Sequence, residues 1–259
     1  MTFVEQPLRQ DWSVELPKYY FDNSPTKTHI LNAFSITLPQ GEKLFIDSIK
    51  NARHKVSSAA RLHDIDVFIK QENWHTYAHQ QYNQWLILQG LSADTLEEYV
   101  VRKRLDFLKE HLPPQVNLNV TVCLEHITST IATLILENPE LQDKMHPHFR
   151  QLWVWHSIEE IEHRSVAMDT LNTAFNLNIN RKRACMILTT SAFIWDIFLI
   201  TISLLKEDNQ LWKWKTLKDG MDVILNIRKV FTPWLRFMKM NFHPNDVDHT
   251  TLLQKYNKI

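Results

Sequence analysis

The chain has 259 residues, which is enough for one large domain or two small ones with a substantial core. Lys plus Arg and Asp plus Glu each total 29, so the formal net charge is zero, and no basic run offers a surface for nucleic acid. Only three glycines are present, which excludes Gly-rich phosphate loops and disfavours an all-β fold with glycine in its turns.

The cysteines and the N-terminus indicate the compartment. Cys123 and Cys185 are not spaced as in a metal knuckle, so a reducing compartment is expected. Residues 1–7 contain no basic segment followed by an apolar one, and no signal peptide is predicted there. We therefore expect a cytoplasmic protein.

In chain order, the first part of the sequence predicts an irregular arm and then two helices. Residues 1–28 are polar and contain three prolines, which favours irregular structure. A first helix is predicted to begin near Pro39 and to carry Glu42, and a second to run over about 64–89. Gly90 follows the second helix, at the position where glycine commonly ends a helix with a left-handed backbone.

The later part of the sequence predicts two more long helices and an apolar C-terminal region. A shorter, charged helix is expected at 94–110. The third long helix begins after Pro114 and ends before Asn138, with a nearly continuous apolar stripe. A fourth is predicted over about 149–175, and residues 184–205 are almost entirely apolar. Four long helices with short connections predict a bundle.

The segment 155–169 is the most informative stretch of the chain. It contains no Gly or Pro, so nothing in it breaks a helix. On a helix, His156, Glu160 and His163 share one face, and apolar residues occupy many of the other positions. A buried stripe of imidazole and carboxylate needs partners, because burial of an unpaired charge is very unfavourable, and metal ions would satisfy it.

The other three helices supply matching groups. Glu72, His75 and His79 share one face of the second helix. The third helix carries Glu125 inside its apolar stripe, and the first carries Glu42. In chain order the groups read Glu, Glu-x-x-His, Glu, Glu-x-x-His, which is the ligand set by which ferritin-like bundles bind two metal ions. Oxygen-rich ligation with imidazole and without thiolate suits iron or manganese better than structural zinc.

The sequence therefore predicts a dimetal site in an all-α, ferritin-like four-helix bundle with additional C-terminal helices. Two iron ions are expected, with manganese or a mixed pair as alternatives. One domain is predicted over 1–259, in which 30–178 form the metal-binding bundle and 184–259 form the apolar helix and further C-terminal helices. The predicted metal ligands are Glu42, Glu72, His75, Glu125, Glu160, His163, His156 and His79.

Some of these residues also have structural explanations. A glutamate at position 42, in the first turn of the predicted helix, is favoured by the helix dipole alone. Glu125 could instead pair with a buried Arg or Lys. His79 and His156 serve either as additional ligands or as hydrogen-bond donors that hold ligands in place.

Three polar neighbours are not predicted to bind metal. Glu159 competes with Glu160, which is preferred because it lies three residues before His163. His126 points about 100° away from its neighbour Glu125 on a helix, so it is expected in the core or beside a ligand. Asp169 lies off the metal-binding face and is expected to orient a ligand or to cap a neighbouring element.

With these residues in place, the sequence resembles the bacterial family of predicted metal-dependent hydrolases, whose fold is thought to be ferritin-like. The segments that carry the resemblance, in the order of the family, are 33–42, 71–79, 124–128, 155–169 and 242–248. The His-x-x-x-Glu-x-x-His run at 156–163 is also similar to the dimetal helix of the p-aminobenzoate N-oxygenase group, in which an added His ligand is part of the site. The first resemblance implies a metal-dependent enzyme, and the second implies di-iron chemistry.

The apolar stretch 184–205 has two interpretations. A helix of this length could cross a bilayer of ~30 Å, but Asp196 near its middle would cost a membrane helix about 2.5–3.5 kcal/mol. The resembling tail at 242–248 follows this stretch, so a buried or membrane-contacting helix within the domain is preferred to a span. Trp212, Trp214 and the nearby lysines form either an interfacial belt at a membrane or a homodimer surface.

The favoured functional hypothesis is a non-haem di-iron oxidase or oxygenase that uses O₂ on a small apolar organic substrate. It is expected to be a cytoplasmic homodimer, with membrane contact as a further option. The alternative is a hydrolase in which the paired ions generate a metal-bound hydroxide. A non-catalytic metal-binding bundle is the third hypothesis. Redox activity separates the first from the others, because hydrolysis needs no change in metal valence.

Overall fold

A computed structural model describes residues 6–226 and 228–256, which form an all-α bundle as predicted. Residues 1–5 of the predicted arm, and residues 227 and 257–259 of the predicted C-terminal region, lie outside the described residues. The helices are α1 Pro25–Arg53, α2 Ala59–Leu88, α3 Ala93–Leu96, α4 Lys103–His111, α5 Pro114–Leu136, α6 Pro139–Asp143, α7 Pro147–His163, α8 Val166–Ala174, α9 Ile179–Glu207, α10 Trp214–Asn226, α11 Arg228–Leu235 and α12 Thr250–Tyr256.

The first helix begins much earlier than the sequence predicted. α1 starts at Pro25, not near Pro39, so the predicted irregular arm is too long. Ser24 caps the helix by accepting a hydrogen bond from the backbone N–H of Lys27 at 3.2 Å, and Pro25 occupies the first position, where no N–H is needed. Glu42 therefore lies in the interior of the helix, and the explanation of this residue by the helix dipole is wrong.

A side chain from α2 explains how Pro39 fits inside α1. A proline within a helix leaves the carbonyl four residues earlier without its N–H donor. That carbonyl belongs to Ser35, and Asn83 Nδ2 donates to it at 3.0 Å. Ser35 Oγ also donates to Asn83 Oδ1 at 2.7 Å. The two hydrogen bonds between Ser35 and Asn83 therefore join α1 to α2.

The end of α2 and the bounds of α5 agree with the sequence prediction, whereas the segment 94–110 contains several short elements instead of one helix. α2 ends at Leu88, and Gly90 follows with a φ of +82°, a left-handed conformation that glycine adopts without strain. α5 begins at Pro114 and ends at Leu136. The charged segment predicted at 94–110 consists of α3, a π-helical stretch and α4.

The predicted fourth helix is not continuous, because a break at Arg164 divides it into α7 and α8. The Arg164 guanidinium donates to the carbonyl oxygen of Ile161 in the last turn of α7. It also donates to the carbonyl oxygens of Pro244 and Val247, at 3.2 Å each. These bonds satisfy a carbonyl at the helix end and attach α7 to the C-terminal segment.

The four long helices of the bundle enclose a common interior. α1 packs along α2 and α5 packs along α7, while α1 also contacts α5 and α2 contacts α7. α8 continues beyond α7 against α1, α2 and α5. α9 lies across α1 and α5, outside the ring of helices that faces the interior.

α9 is attached to the bundle through an ion pair whose carboxylate is buried. The carboxylate of Asp196 accepts hydrogen bonds from both terminal nitrogens of Arg104 and is itself buried. α5 and α9 are both long and apolar enough to cross a membrane, but 72% of the most apolar window is buried in α5 and only 22% in α9. α5 is therefore a core helix, whereas α9 packs one face on the bundle and exposes the other.

Candidate metal centre

The interior of the bundle brings together all eight residues that the sequence predicted as metal ligands. Each of them is at most 4% exposed. α1 contributes one, α2 three, α5 one and α7 three. By helix they are Glu42, then Glu72, His75 and His79, then Glu125, and last His156, Glu160 and His163.

Seven of the eight residues fall into two groups that could each hold a metal ion. In the first group, one ligand atom from each of four residues lies within 4.8 Å of the others. The second group meets the same condition with three residues. The first group is Glu72, His75, Glu160 and His163, and the second is Glu42, His79 and His156.

Glu125 belongs to neither group, but it contacts the first through His163. Its Oε2 is 3.4 Å from Nδ1 of His163, while Nε2 of the same imidazole is 3.2 Å from Oε1 of Glu72. His163 therefore faces carboxylates on both sides.

The clearest sign of a metal site is the number of buried donor atoms without hydrogen-bond partners. Buried polar groups are nearly always hydrogen-bonded, and an unpaired one costs about 1–3 kcal/mol. Among the described residues, the atoms concerned include both oxygens of Glu72 and Glu125, both ring nitrogens of His75 and His163, and Oε1 of Glu42 and Glu160. Carboxylate oxygens and imidazole nitrogens that converge in this way fit divalent cations.

Two threonines each hold one oxygen of a carboxylate at the site. Thr76 Oγ1 donates to Glu42 Oε2 at 2.8 Å, and Thr128 Oγ1 donates to Glu160 Oε2 at 2.6 Å. The other oxygen of Glu42, Oε1, has no hydrogen-bond partner within the described part of the chain, and that of Glu160 lies 3.0 Å from Nε2 of His156. Such outer hydrogen bonds hold a ligand in the orientation that binding requires.

A chain of polar contacts runs from α1 to the site through two histidines. Ser35 Oγ lies 3.0 Å from Nδ1 of His79, whose Nε2 lies 3.1 Å from Nδ1 of His156. Nε2 of His156 is 3.0 Å from Oε1 of Glu160. Both ring nitrogens of His79 and of His156 thus have polar neighbours, and both histidines belong to the second ligand group, so each could bind a metal ion or hold the other in place.

Glu159, which the sequence ranked below Glu160, is also buried at the site. Its Oε2 lies 2.9 Å from Nε2 of His75. The other ring nitrogen of His75, Nδ1, faces Glu72 and Glu160 at 3.9 and 4.0 Å. This is the arrangement in which an outer carboxylate orients a metal-binding imidazole.

Burial and mutual repulsion make it difficult for all the carboxylates to be ionised without a cation. Burial raises the pKa of Glu42 and of Glu72 well above the ordinary value, and the neighbouring carboxylates add to the effect. Burial and Glu160 raise the pKa of Glu125 to about 7. Burial alone would raise the pKa of Glu160 too, but two adjacent imidazoles lower it below its ordinary value. Divalent cations would favour the ionised form of the whole cluster.

The histidines of α2 are in the form that binds metal. Burial lowers the pKa of His75 and of His79 well below the ordinary value, and neighbouring imidazoles lower it further. Both rings are therefore neutral near pH 7, with a lone pair for a cation.

The remaining polar neighbours, His126 and Asp169, contact residues outside the metal-binding groups: His126 lies in the core, one of the two predicted places, whereas Asp169 does not contact a predicted ligand. His126 packs against Phe237 and Phe242, with ring centroids 5.3 and 5.0 Å away. Asp169 pairs with His243 at 3.3 Å and with Arg61 at 3.7 Å. Neither residue belongs to a metal-binding group.

Comparison with known proteins identifies the family of the chain. The family described as "Predicted metal-dependent hydrolase" matches residues 6–248. A search of the curated proteins found no match, and a search of the solved structures found none either. The resemblance to the p-aminobenzoate N-oxygenase group and the ferritin-like fold both stay predictions. The match to nearly the whole chain, together with a potential dimetal site, shows that the chain belongs to the family of predicted metal-dependent hydrolases.

Proposed function

We propose that the protein is a hydrolase that binds two divalent metal ions between α1, α2, α5 and α7. The observation that carries this proposal is the set of buried, converging carboxylate and imidazole atoms that lack hydrogen-bond partners among the described residues. The family of the chain supports hydrolysis as the reaction. The proposed ligands are Glu42, Glu72, His75, His79, Glu125, His156, Glu160 and His163.

The residues of the chain have separate tasks in this proposal. Two bound divalent cations would supply Lewis-acid activation of water and of the scissile group. Thr76 and Thr128 hold two of the carboxylates in their binding orientation, and Glu159 orients His75. The tightly packed aromatic and aliphatic core around the site limits bulk water, which strengthens every electrostatic contact inside it.

The hydrolase proposal is tested by turnover that depends on metal and on the site. The full chain, loaded with Mn(II), Zn(II) or Fe(II) without O₂, is assayed against p-nitrophenyl esters and phosphodiesters. We expect hydrolysis that disappears with chelator and in Glu160→Gln, and that persists in Glu140→Gln, a surface control on α6. Hydrolysis of equal rate in Glu160→Gln would overturn the proposal, because Glu160 belongs to the first ligand group.

A second candidate function is oxidation by O₂ at two iron ions. The observation that favours it is the donor set itself, because four glutamates and two Glu-x-x-His histidines from four helices are the ligands of di-iron proteins with ferritin-like folds. In this case the four carboxylates would balance the charge of the two cations, and the same threonines would orient them.

Oxygen uptake separates the two candidates. Protein loaded anaerobically with Fe(II) is mixed with O₂, and O₂ consumption and Fe(III) formation are followed. Rapid consumption that requires Glu160, without hydrolysis under anaerobic conditions, would replace the hydrolase proposal with the oxidase. Slow oxidation equal to that of Glu160→Gln, with anaerobic hydrolysis intact, would support the hydrolase. Stoichiometric metal without either reaction would indicate a non-catalytic bundle.

A further inference from the structure

We propose that the outer faces of α9, α10 and α11 form a surface that binds an anionic lipid bilayer and lies on it without crossing it. We call this surface the lipid face. It is independent of the reaction at the metal centre, since none of the proposed metal ligands lies on these three helices.

The first part of the lipid face is an apolar stripe along α9. Its large side chains are between 51% and 70% exposed and follow the spacing of one helical side. They are Ile187, Leu188, Ile194, Trp195 and Phe198. The only charge between residues 184 and 205 is Asp196, which points inward to Arg104. A contiguous exposed stripe of this kind marks an interaction surface.

The second part lies on α10 and α11, where apolar side chains again occupy one side. Leu217, Met221 and Leu225 follow the i, i+4, i+8 spacing and are at least half exposed. On α11, the indole nitrogen of Trp234 donates to Thr190 Oγ1 of α9 at 2.8 Å. This bond places α11 beside α9, and α10 contacts α11, so the three helices are neighbours.

Charge identifies the partner of this surface. Between residues 181 and 239 there are eleven Lys and Arg but five Asp and Glu, although the whole chain has equal numbers. Three of the five acids are turned inward: Asp196 bonds Arg104, Asp208 bonds Lys18 and His29, and Asp219 bonds Ser24. Three of the eleven bases also bond groups of the chain: Lys182 bonds Asn172, Arg183 the carbonyl of Met238, and Lys215 that of Asn23. Eight bases and two acids remain, so the lipid face is apolar with an excess of positive charge, which is complementary to anionic headgroups over an acyl layer.

A second copy of the chain fits the same surface poorly. In a symmetric dimer the same patch meets itself, so basic residues would face basic residues. Like charges across an interface are unfavourable, whereas an anionic bilayer attracts each of them. Trp212 and Trp214 are 84% and 80% exposed and alternate with lysines, which is typical of side chains at a membrane interface.

The inner face of α9 favours a helix that lies on the bilayer over one that crosses it. Met186, Ile200 and Leu204 are completely buried against the bundle, and Asp196 holds Arg104 there. A spanning orientation would remove these contacts and place a charged side chain in hydrocarbon. Contact through the exposed side keeps all of them.

The test is flotation of the full chain with vesicles of phosphatidylcholine and phosphatidylglycerol, compared with vesicles of phosphatidylcholine alone. We expect the protein to float with the anionic vesicles, and high salt to reduce binding. Lys213→Glu, Lys218→Glu and Lys229→Glu together should lower the partition coefficient at least about tenfold. Trp195→Ser with Phe198→Ser should also lower it, by removing the inserted apolar groups.

The control is Tyr77→Ser, which removes a 57% exposed aromatic side chain from α2, on the bundle. It should float as the original chain does. Circular dichroism and the thermal midpoint verify that each variant folds. The salt dependence of vesicle binding is measured on the unaltered chain, so this part of the test does not depend on the folding of a variant. Absence of binding to anionic vesicles would overturn the proposal. A dimer that Trp195→Ser and Phe198→Ser dissociate, without vesicle binding, would assign the surface to a second copy.

Discussion

At the scale of single residues, Glu125 shows what the metal centre requires. It is buried beside His163 and Glu160, and its oxygens have no hydrogen-bond partner among the described residues. We expect Glu125→Gln to reduce the bound metal from two ions per chain toward one, because it removes a negative charge and a ligand oxygen. Metal analysis of the purified variant measures this.

The control for this change is Glu137→Gln, an exposed carboxylate at the end of the same helix. It should retain the full metal content. If Glu125→Gln bound as much metal as Glu137→Gln, Glu125 would have no part in the site.

The threonines that orient the carboxylates make a second prediction. Thr76→Val and Thr128→Val remove the hydroxyls that donate to Glu42 and Glu160 but preserve the shape of the side chain. Loss of such an outer partner typically lowers metal affinity about 10–100-fold. Competition with a chelator of known affinity measures the change. An unchanged affinity would mean that the glutamates are held by other contacts.

The convergence of the candidate ligands in one interior was predictable from the sequence, but the residues that hold them in place were not. Glu72 and His75 stand out because a helix places them on one face. Neither Thr76 nor Thr128 was predicted from the sequence, because each donates to a glutamate on another helix rather than to one on its own. The sequence does not show that Thr76 bonds Glu42 on another helix, because that contact depends on how α1 and α2 pack.

At the scale of helices, the pair Asp196 and Arg104 attaches α9 to the segment before α5. Burial raises the pKa of Asp196, while Arg104 acts in the opposite direction. We expect Asp196→Asn to lower the free energy of unfolding by about 1–3 kcal/mol, because it leaves a buried group poorly paired. Urea denaturation measures the change, with Asp222→Asn, an exposed acid of α10, as the control.

A double-mutant cycle with Arg104→Gln makes the test specific. If the pair matters, the double variant should be less destabilised than the sum of the two single variants. Additive losses would contradict the role of the ion pair in holding α9.

Helix boundaries were the least predictable feature, for identifiable reasons. Pro39 is normally a reason to end or begin a helix, and only the amide of Asn83, far along the chain, allows α1 to continue through it. The break at Arg164 has no Gly or Pro to mark it and depends on carbonyl groups of Pro244 and Val247. Both the continuation of α1 through Pro39 and the break at Arg164 involve contacts between residues far apart in the chain, which local residue spacing does not reveal.

At the scale of the whole molecule, the buried carboxylates make the stability of the metal-free protein depend on pH. A raised pKa means that the folded state keeps a proton that the unfolded chain has already released. The pKa of Glu125 is about 7 and that of Glu159 about 9, and those of Glu42 and Glu72 are also raised. These groups stabilise the folded state at low pH, and the stabilisation is lost as the pH rises through their pKa values in the folded state.

We therefore expect the free energy of unfolding of the metal-free protein to fall as the pH rises from about 7 to 9. The slope is about 1.4 kcal/mol per pH unit for each proton that the folded state retains. The lowered pKa values of His75 and His79 act mainly below pH 7, where the unfolded histidines become charged. Denaturation with and without chelator measures this, and bound metal should flatten the curve. An equal slope with metal bound would contradict the account.

The metal content of the full chain tests the central claim most directly. Purified protein is loaded with Fe(II), Mn(II) or Zn(II) under anaerobic conditions, passed over a desalting column and analysed by mass spectrometry of the elements. We predict two ions per chain, and almost none in the double variant Glu72→Gln, Glu160→Gln, which removes two carboxylates of the first ligand group. No retained metal in the original chain, or full retention in the double variant, would contradict the assignment of the dimetal site.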